Sequence, residues 1–340
     1  MTARDGLRAN AGIVFVMGSG RSGTTFLAKL IDASRRVLYR HEPDFTLRDP
    51  RIPFLPRVAD YPQFVPAARD YVAALLRQRD AKTAGHLPLF AKDYRGPLGQ
   101  ATHQATFYVA KLAAKAGIAV TVPDMIAAGL PPVYVVKSVN SLSRTALFAA
   151  ARPDIRILHI VRHPCAVVAS LARGAESGRM RMAAYLDSIF EMPEAAGYPF
   201  PPEDMARRPP EQQYAFNWMV QNDKTYSELE GKANYRLISY ERLCTNVMAE
   251  LQSIADFAGL EVDPQMRDFA RSLERSDADE AGYFDVQRNV RASLFKWRRE
   301  LAPATIAGIR EVVAASEIGR FCLAQEDAID PESEARPAAD

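Results

Sequence analysis

A buried strand, a glycine-rich loop and a helix follow one another directly near the start of the chain. Residues 13–17 read IVFVM, residues 18–25 read GSGRSGTT, and residues 24–34 read TTFLAKLIDAS. Four residues separate Gly18 from Gly23, as in the phosphate-binding pattern G-x-x-x-x-G-K-[ST]. This order points backbone N–H groups and the positive end of a helix dipole at one place. It predicts a phosphate site at the carboxyl end of a first strand.

The lysine of that pattern is absent. Thr24 occupies its position, Thr25 follows, and the nearest cation is Arg21 inside the loop. In nucleoside triphosphatases the lysine reaches the β- and γ-phosphates, and the hydroxyl residue holds magnesium. The loop therefore favours a ligand with one 5′-phosphate and no γ-phosphate. A glycine-rich strand–helix turn without a ligand is the alternative interpretation.

Three further apolar runs alternate with helical patterns along the chain. The runs lie at residues 133–137, 155–161 and 235–240, and the helical patterns lie at residues 141–151, 165–174 and 247–260. Continuously apolar strands are typical of a parallel sheet that is buried on both faces. The sequence predicts an α/β fold with a P-loop-type parallel sheet flanked by helices, in one domain over residues 1–324.

Two regions break this alternation. Residues 43–104 and 173–213 are rich in proline, arginine and aromatic residues. Insertions of this kind usually form helical lids and long loops around the carboxyl ends of the strands. Residues 325–340 are acidic and rich in proline and alanine, so we expect a disordered tail there.

Composition and cysteine usage bound the function class. Of the 340 residues, 48% are apolar and 25% charged, and the formal net charge of +2 argues against general nucleic-acid binding. The three cysteines, Cys165, Cys244 and Cys322, are widely spaced and form no C-x-x-C pair, which indicates a reducing compartment. The run AGIVFVMG is too short for a signal segment or a membrane span. We expect a cytoplasmic protein.

The loop resembles the 5′-phosphosulfate loop of the sulfotransferases that use 3′-phosphoadenosine 5′-phosphosulfate (PAPS). That loop carries Lys or Arg followed by Ser-Gly-Thr/Ser-Thr/Ser, and this sequence matches it one for one. The matching residues, with the preceding glycine, are Gly20, Arg21, Ser22, Gly23, Thr24 and Thr25. The resemblance implies that they bind PAPS as a co-substrate and that no metal is required.

A second stretch resembles the 3′-phosphate motif of the same family. Residues 157–174 read ILHIVRHPCAVVASLARG, in which Arg162, Pro164 and Ser170 match the motif of strand, Arg-x-Pro and a later serine. Pro164 suits the first position of a helix, and Arg162 at the end of a strand can hold a phosphate with two hydrogen bonds. Pairing of Arg162 with a surface carboxylate is the alternative.

The position of the catalytic base separates two branches of the family. The small-molecule branch uses a histidine two residues after a lysine, but here Val139 follows Lys137 at that distance. The carbohydrate, heparan and tyrosylprotein branches use a glutamate before proline, which matches Glu42 in His-Glu-Pro. Glu42 lies 17 positions after Thr25, which allows one helix and a short second strand. The resemblance implies Glu42 as the base, with His41 as the fallback.

The resemblance assigns further contacts to three later residues. Lys137, with Arg21, would stabilise the leaving phosphate, although a solvated lysine at a strand end is the alternative. Tyr240 in YRLISYERL would approach the adenine or pack in the core. Lys296, before a tryptophan, would close over the nucleotide, helped by Arg288 and Arg291, unless it only begins a basic helix.

Trp218 is expected to be a core residue of a helix. The sequence as a whole predicts a sulfotransferase that moves the sulfuryl group from PAPS to an acceptor hydroxyl, with the two insertions on the acceptor side. A glycan, a lipid, a peptide tyrosine and a metabolite are all possible acceptors, whereas nucleic acid is not expected. A P-loop kinase and a non-catalytic nucleotide-binding module are the alternatives.

Overall fold

A computed structural model of the protein describes residues 12–127, 131–178, 186–274 and 294–329. In these residues five strands form one parallel sheet with the spatial order β2-β3-β1-β4-β5. The strands are β1 (Ile13–Met17), β2 (Val37–His41), β3 (Val133–Ser138), β4 (Ile155–Val161) and β5 (Tyr235–Ser239). The predicted α/β fold with a parallel sheet flanked by helices is confirmed, including the short second strand before Glu42.

Both faces of the sheet are covered. Val14 and Val16 pack in one core, whereas Ile13 and Phe15 pack in another, so alternate residues of β1 serve opposite faces. Helices cover these faces because each strand is apolar on both sides. The helices are α1 (Thr24–Asp32), α2 (Tyr61–Arg77), α3 (Pro97–Lys115), α4 (Thr145–Ala151), α5 (Pro164–Glu176), α6 (Leu186–Phe190), α7 (Pro202–Arg207), α8 (Pro210–Leu229), α9 (Tyr240–Thr245), α10 (Val247–Ala258), α11 (Pro264–Glu274), α12 (Trp297–Glu300), α13 (Pro303–Val313) and α14 (Glu317–Ile329).

The strand register gathers the predicted site at one edge of the sheet. Lys137 lies opposite Val16 of β1 and opposite His41 of β2. The carboxyl ends of β1, β2, β3 and β4 therefore point the same way. These ends, and the segments that follow them, carry the predicted phosphate-binding residues, Lys137 and Glu42. This edge is where ligands bind in open α/β sheets.

The first insertion is more than a lid. Helix α2, inside residues 43–104, packs against α4, and its residues Ala68, Val72 and Leu75 are buried in the core on one sheet face. The expectation of lids and loops for this whole region is therefore wrong for α2, because its apolar stripe completes the cover of the sheet. The second insertion contains the short helices α6 and α7. Trp218 is buried in α8, as predicted.

The chain remains helical beyond residue 324. Helix α14 runs to Ile329, and Glu326 on it is buried and paired with Arg298 and Arg310. The helix thus extends five residues past the expected boundary at residue 324, and two arginines that are distant in sequence balance the charge of Glu326. Residues 330–340 lie outside the described part. None of the described helices is long and apolar enough to cross a membrane.

Candidate functional site

Two close approaches shape the loop between β1 and α1. Gly23 has φ +93°, and a Cβ atom there would lie 2.2 Å from Cδ2 of Tyr240. A Cβ atom on Gly18 would lie 2.5 Å from the carbonyl oxygen of Ile160 in β4. Only glycine fits at either position, and Arg21 also adopts a left-handed backbone conformation, with φ 70°. The loop is therefore folded tightly over β4 and α9.

The loop has an inner side and an outer side. Ser22 is fully buried, and its hydroxyl donates to the carbonyl oxygen of Ser19 over 2.6 Å, while Thr24 is also buried. Gly20 and Thr25 are half-buried, and a Cβ atom on Gly20 would meet nothing within 4 Å. Ser22 and Thr24 therefore brace the loop, whereas Gly20 and Thr25 lie on its open side.

The N-terminus of α1 has no capping side chain. Its N-cap is Gly23, and no side chain caps the first turn. The first N–H groups of a helix have no acceptor within the helix, so a bound anion can accept from them and gain from the helix dipole. These features fit the 5′-phosphosulfate of PAPS.

The two predicted phosphate motifs meet directly. Arg21 Nε donates to Ser170 Oγ over 2.9 Å, and Arg162 Nη1 donates to the carbonyl oxygen of Arg21 over 3.2 Å. Ser170 lies on α5, which begins at Pro164 as expected, and Arg162 follows the end of β4. The fold thus brings together side chains that lie 149 residues apart in sequence.

Arg162 retains an unsatisfied donor. The side chain is buried, its guanidinium lies 4.6 Å from the ring centroid of Tyr240, and its Nε has no hydrogen-bond partner among the described residues. A buried charged donor without a partner is costly unless an anion completes it. This supports a phosphate-binding role over pairing with a surface carboxylate.

Tyr240 lies in the core below the loop. It is buried against Gly23, and its ring contacts Phe26 edge to face at 6.2 Å between centroids. Of the two interpretations offered by the sequence, the structure corresponds to core packing. The buried ring supports the guanidinium of Arg162 from beneath.

Glu42 lies between two lysines. It follows β2 in a left-handed conformation, with φ 47°, and its carboxylate pairs with Lys137 through Oε1 and with Lys82 Nζ through Oε2, the latter at 2.8 Å. Burial raises the pKa of Glu42, but the Lys137 charge and hydrogen bonds from both lysines outweigh it and hold the pKa well below the ordinary value of 4.5. Glu42 is therefore ionised at neutral pH.

The imidazole ring of His41 contacts Tyr39 and His86. Its Nδ1 lies 2.8 Å from the hydroxyl of Tyr39, and its ring lies 4.8 Å from that of His86. Burial, followed by the Lys137 charge, holds the pKa of His41 well below 6.5. A neutral imidazole fixed in this way orients its neighbours.

Lys82 is a site residue that the sequence did not reveal. The backbone N–H of His41 donates to the carbonyl oxygen of Thr83 over 3.0 Å, so the segment of residues 79–90 lies along the edge strand β2. This segment carries Lys82 to Glu42, and the ammonium of Lys82 also lies 3.2 Å from the ring centroid of Phe45. No motif in the sequence links Lys82 to Glu42.

A buried ion network holds this segment in place. Lys29 of α1 is fully buried and donates to the carbonyl oxygens of His86 and Pro88, over 2.8 and 2.6 Å. Lys29 also pairs with Asp32 at 2.5 Å, and Lys92 pairs with the other oxygen of Asp32 at 2.8 Å. The helix that follows the phosphate loop thereby fixes the segment that supplies Lys82.

Asp44 is the second missed residue. It lies two positions after Glu42 and is buried, and its Oδ2 accepts hydrogen bonds from the hydroxyls of Ser138 and Ser141. Burial raises the pKa of Asp44. These bonds join the turn after Glu42 to the end of β3, next to Lys137, so Asp44 helps to set the distance between Glu42 and Lys137.

Lys296 is exposed and precedes α12. Its neighbour Trp297 is buried and stacks on His163, with 4.5 Å between ring centroids and 9° between planes. This stacking brings the segment of Lys296 to the start of α5, beside Arg162. Its two predicted helpers, Arg288 and Arg291, lie outside the described residues.

Two further observations bear on ligands. In the described part of the chain no group of three or more His, Cys, Asp or Glu side chains could hold a metal ion. A cavity of about 700 Å³ lies at the opposite edge of the sheet, where Pro153 precedes β4 and Asn234 precedes β5. It contains none of the predicted site residues.

Comparisons with known proteins place this geometry in context. The sequence model described as Sulfotransferase family matches residues 14–264. Carbohydrate sulfotransferase 2 of Homo sapiens and that of Mus musculus are each 24% identical over 340 residues, covering 88% of this chain and 63% of the relative. The chain thus spans less than two thirds of the length of these curated relatives. The family match extends from β1 to the start of α11 and includes both phosphate motifs.

Solved structures of sulfotransferases resemble the chain at low identity. Mouse sulfotransferase SULT7A1 complexed with PAP has a TM-score of 0.43 and 14% identity, covering 93% of this chain and 89% of that one. The sulfotransferase domain of the Synechococcus PCC 7002 olefin synthase has a TM-score of 0.44 and 17% identity, covering 97% of this chain and 98% of that domain.

Proposed function

The chain belongs to the sulfotransferase family, and we propose that it moves the sulfuryl group of PAPS to an acceptor hydroxyl by direct in-line transfer. The observation that carries this proposal is the hydrogen bond from Arg21 to Ser170, which joins the 5′-phosphate loop to the 3′-phosphate motif. A nucleotide that has phosphates at both positions is the ligand that uses both motifs at once.

The donor is held by two sets of groups in this proposal. Backbone N–H groups of the loop and of the first turn of α1 bind the 5′-phosphosulfate. Arg162, whose buried Nε lacks a partner among the described residues, binds the 3′-phosphate with Ser170. The direct contact between the two motifs supports this assignment, because Arg162 donates a hydrogen bond to the carbonyl oxygen of Arg21 over 3.2 Å.

Glu42 acts as the general base. It accepts the proton of the acceptor hydroxyl as the new oxygen–sulfur bond forms. The bond between sulfur and the bridging oxygen breaks, and its electron pair leaves with adenosine 3′,5′-bisphosphate. Lys137 and Arg21 offset the charge that develops on the departing phosphate.

The ion pair between Glu42 and Lys137 has a consequence for this step. A carboxylate whose pKa is lowered is a weak base, so the pair as it stands restrains Glu42. The anionic donor attracts the ammonium of Lys137, which weakens its contact with Glu42 and raises the basicity of the carboxylate. The base is thus strengthened when the donor is in place.

For the acceptor we propose a carbohydrate hydroxyl. The relatives named carbohydrate sulfotransferase 2, which are longer than this chain, support a carbohydrate acceptor. The glutamate in the His-Glu-Pro sequence also supports it. The cytoplasmic location stays a prediction from the cysteine pattern, and the described cysteines are buried free thiols.

The test is transfer of labelled sulfate from PAPS to a panel of glycan, lipid, tyrosyl-peptide and metabolite acceptors in the presence of EDTA. We expect labelling of a glycan without added metal. Binding of adenosine 3′,5′-bisphosphate without transfer to any acceptor would instead indicate a non-catalytic module. ATP-dependent phosphorylation that magnesium restores would indicate the kinase alternative, which the family match does not favour.

A further inference from the structure

Helix α3 and the turn that follows it carry an unusual share of the exposed apolar surface. Eight large hydrophobic side chains are strongly exposed in the described residues, and five of them lie between residues 98 and 118. These five are Leu98, Tyr108, Val109, Leu112 and Ile118. Isolated exposed apolar residues are normal on a protein surface, but a contiguous group marks an interaction site.

The exposed residues lie on one face of α3. At about 100° per residue, Leu98, Val109 and Leu112 fall within one arc of the helix, together with the exposed alanines 101, 105 and 116. The buried residues His103, Phe107 and Ala110 fall on the opposite arc, and Phe107 and Ala110 pack with Ala81 and Ala84. The helix therefore has two apolar faces, and only the inner face is covered by described residues.

The stretch of chain that contains this outer face carries only positive charges. No aspartate or glutamate occurs between Asp93 and Asp124, whereas Lys111 and Lys115 lie at one border of the apolar arc. Lys111 lies with its ammonium 5.1 Å from the ring centroid of Phe107, and Lys115 is exposed. Asp80 of the neighbouring segment is close enough to attract Lys111, but the helix itself carries no carboxylate. An apolar face bordered by lysines, on a helix without acidic residues, is typical of helices that lie in the surface of an anionic bilayer.

A second copy of the chain fits this surface less well. If two such helices paired, the lysines of one would face a helix that has no carboxylate to receive them. A membrane surface with anionic headgroups offers both the apolar layer and the negative charge. Charge complementarity therefore favours lipid over self-association.

We propose that α3 and the turn to Ile118, termed the α3 surface, dock the protein peripherally on anionic phospholipid bilayers. Leu98, Tyr108, Val109 and Leu112 enter the boundary between headgroups and acyl chains, and the two lysines contact the phosphates. The inner face of α3 packs on the segment that carries Lys82 to Glu42. The proposal does not depend on the sulfotransferase reaction.

Vesicle sedimentation of the full chain tests the proposal. We expect the protein to sediment with vesicles of phosphatidylcholine and phosphatidylserine but weakly with phosphatidylcholine alone. The double variant Val109→Gln/Leu112→Gln should lose roughly tenfold or more in partitioning, because it removes buried apolar area. Lys111→Gln/Lys115→Gln should lose roughly fivefold per lysine, and only on the anionic vesicles.

The matched control is Val58→Gln, a comparably exposed valine before α2 that lies outside the α3 surface. It should leave partitioning unchanged, and thermal unfolding of each variant establishes that it folds. Absence of sedimentation with anionic vesicles, or equal partitioning of the Val109/Leu112 variant and the wild type, overturns the proposal. A dimer seen by light scattering that the same variant dissociates, without vesicle binding, would assign the surface to a second copy.

Discussion

The backbone N–H of Glu42 donates to the carbonyl oxygen of Lys137 over 2.8 Å, and the side chains of the same two residues form an ion pair. Strand pairing between β2 and β3 continues into this contact, so the sheet itself positions Glu42 and Lys137. The pair lies at the edge of the sheet that the phosphate loop also occupies. The predictions below follow from this arrangement and from the two phosphate motifs.

Replacement of Glu42 by Gln keeps the shape of the side chain and removes its charge. We expect turnover to fall by at least ~10²-fold with donor affinity nearly unchanged, because only proton acceptance is lost. Steady-state kinetics and calorimetry with adenosine 3′,5′-bisphosphate measure the two effects. The control His41→Ala should cost much less; if it abolishes turnover while Glu42→Gln spares it, the histidine is the base.

The Arg21 guanidinium should serve both binding and transfer. Arg21→Ala is expected to weaken donor binding and slow the reaction, whereas Arg21→Lys keeps a cation and should retain substantial activity. Ser170→Ala removes the partner of Arg21 Nε, so a double-mutant cycle should show coupling between the two positions. Normal transfer rates in Arg21→Ala would contradict the role given to this residue.

The 3′-phosphate should contribute strongly to binding. We expect adenosine 3′,5′-bisphosphate to bind more tightly than AMP by about 1.5–3 kcal/mol, the range for hydrogen bonds to charged groups. Arg162→Lys keeps the positive charge but loses the planar guanidinium, which can donate two parallel hydrogen bonds. The difference in binding free energy between the two ligands should therefore be smaller in this variant. Isothermal calorimetry checks both statements, and equal affinities of the wild type for the two ligands would refute the donor assignment.

The Glu42 ion pairs should make stability depend on pH. Because the folded-state pKa of Glu42 is lowered, its contribution is fully present above its ordinary pKa of 4.5 and is lost as pH falls toward the folded value. The difference in unfolding free energy between wild type and Glu42→Gln should therefore be constant near neutrality. Below pH 4.5 it should decline by up to about 1.4 kcal/mol per pH unit. Denaturant titrations at several pH values measure this difference, and an increase at low pH would contradict the pairing.

Glu326 should stabilise the C-terminal part of the fold. It is buried beside Arg298, Arg310 and His163, and although burial opposes it, the hydrogen bond and charge of His163 and the two arginines lower the pKa of Glu326 to about 2. Glu326→Gln leaves Arg298 and Arg310 without their carboxylate, so we expect a loss of about 3 kcal/mol in unfolding free energy. The exposed Glu317→Gln on the same helix should change it by less than about 0.5 kcal/mol. Equal effects of the two substitutions would contradict the structural role.

Some of the missed features lie beyond any local pattern. The phosphate loop could be predicted because its glycines and its flanking strand and helix are contiguous in sequence. Lys82 reaches Glu42 only because the segment of residues 79–90 runs along the edge of β2, and Lys29 holds that segment from another helix. The region that contains α2 was expected to form lids and loops, because the partner of this helix, α4, lies far away in the chain.

The sequence by itself determined the parallel sheet, the glycine-rich loop after β1 and the position of the second predicted phosphate motif after β4. These depend on apolar runs, glycine conformations and helix starts, which are properties of neighbouring residues. Only the tertiary structure decided which polar side chains meet: Arg21 with Ser170, Glu42 with two lysines, and Glu326 with two arginines. Pairing between distant side chains depends on the packing of whole elements, and the energy of a buried charge depends on every partner that packing brings to it.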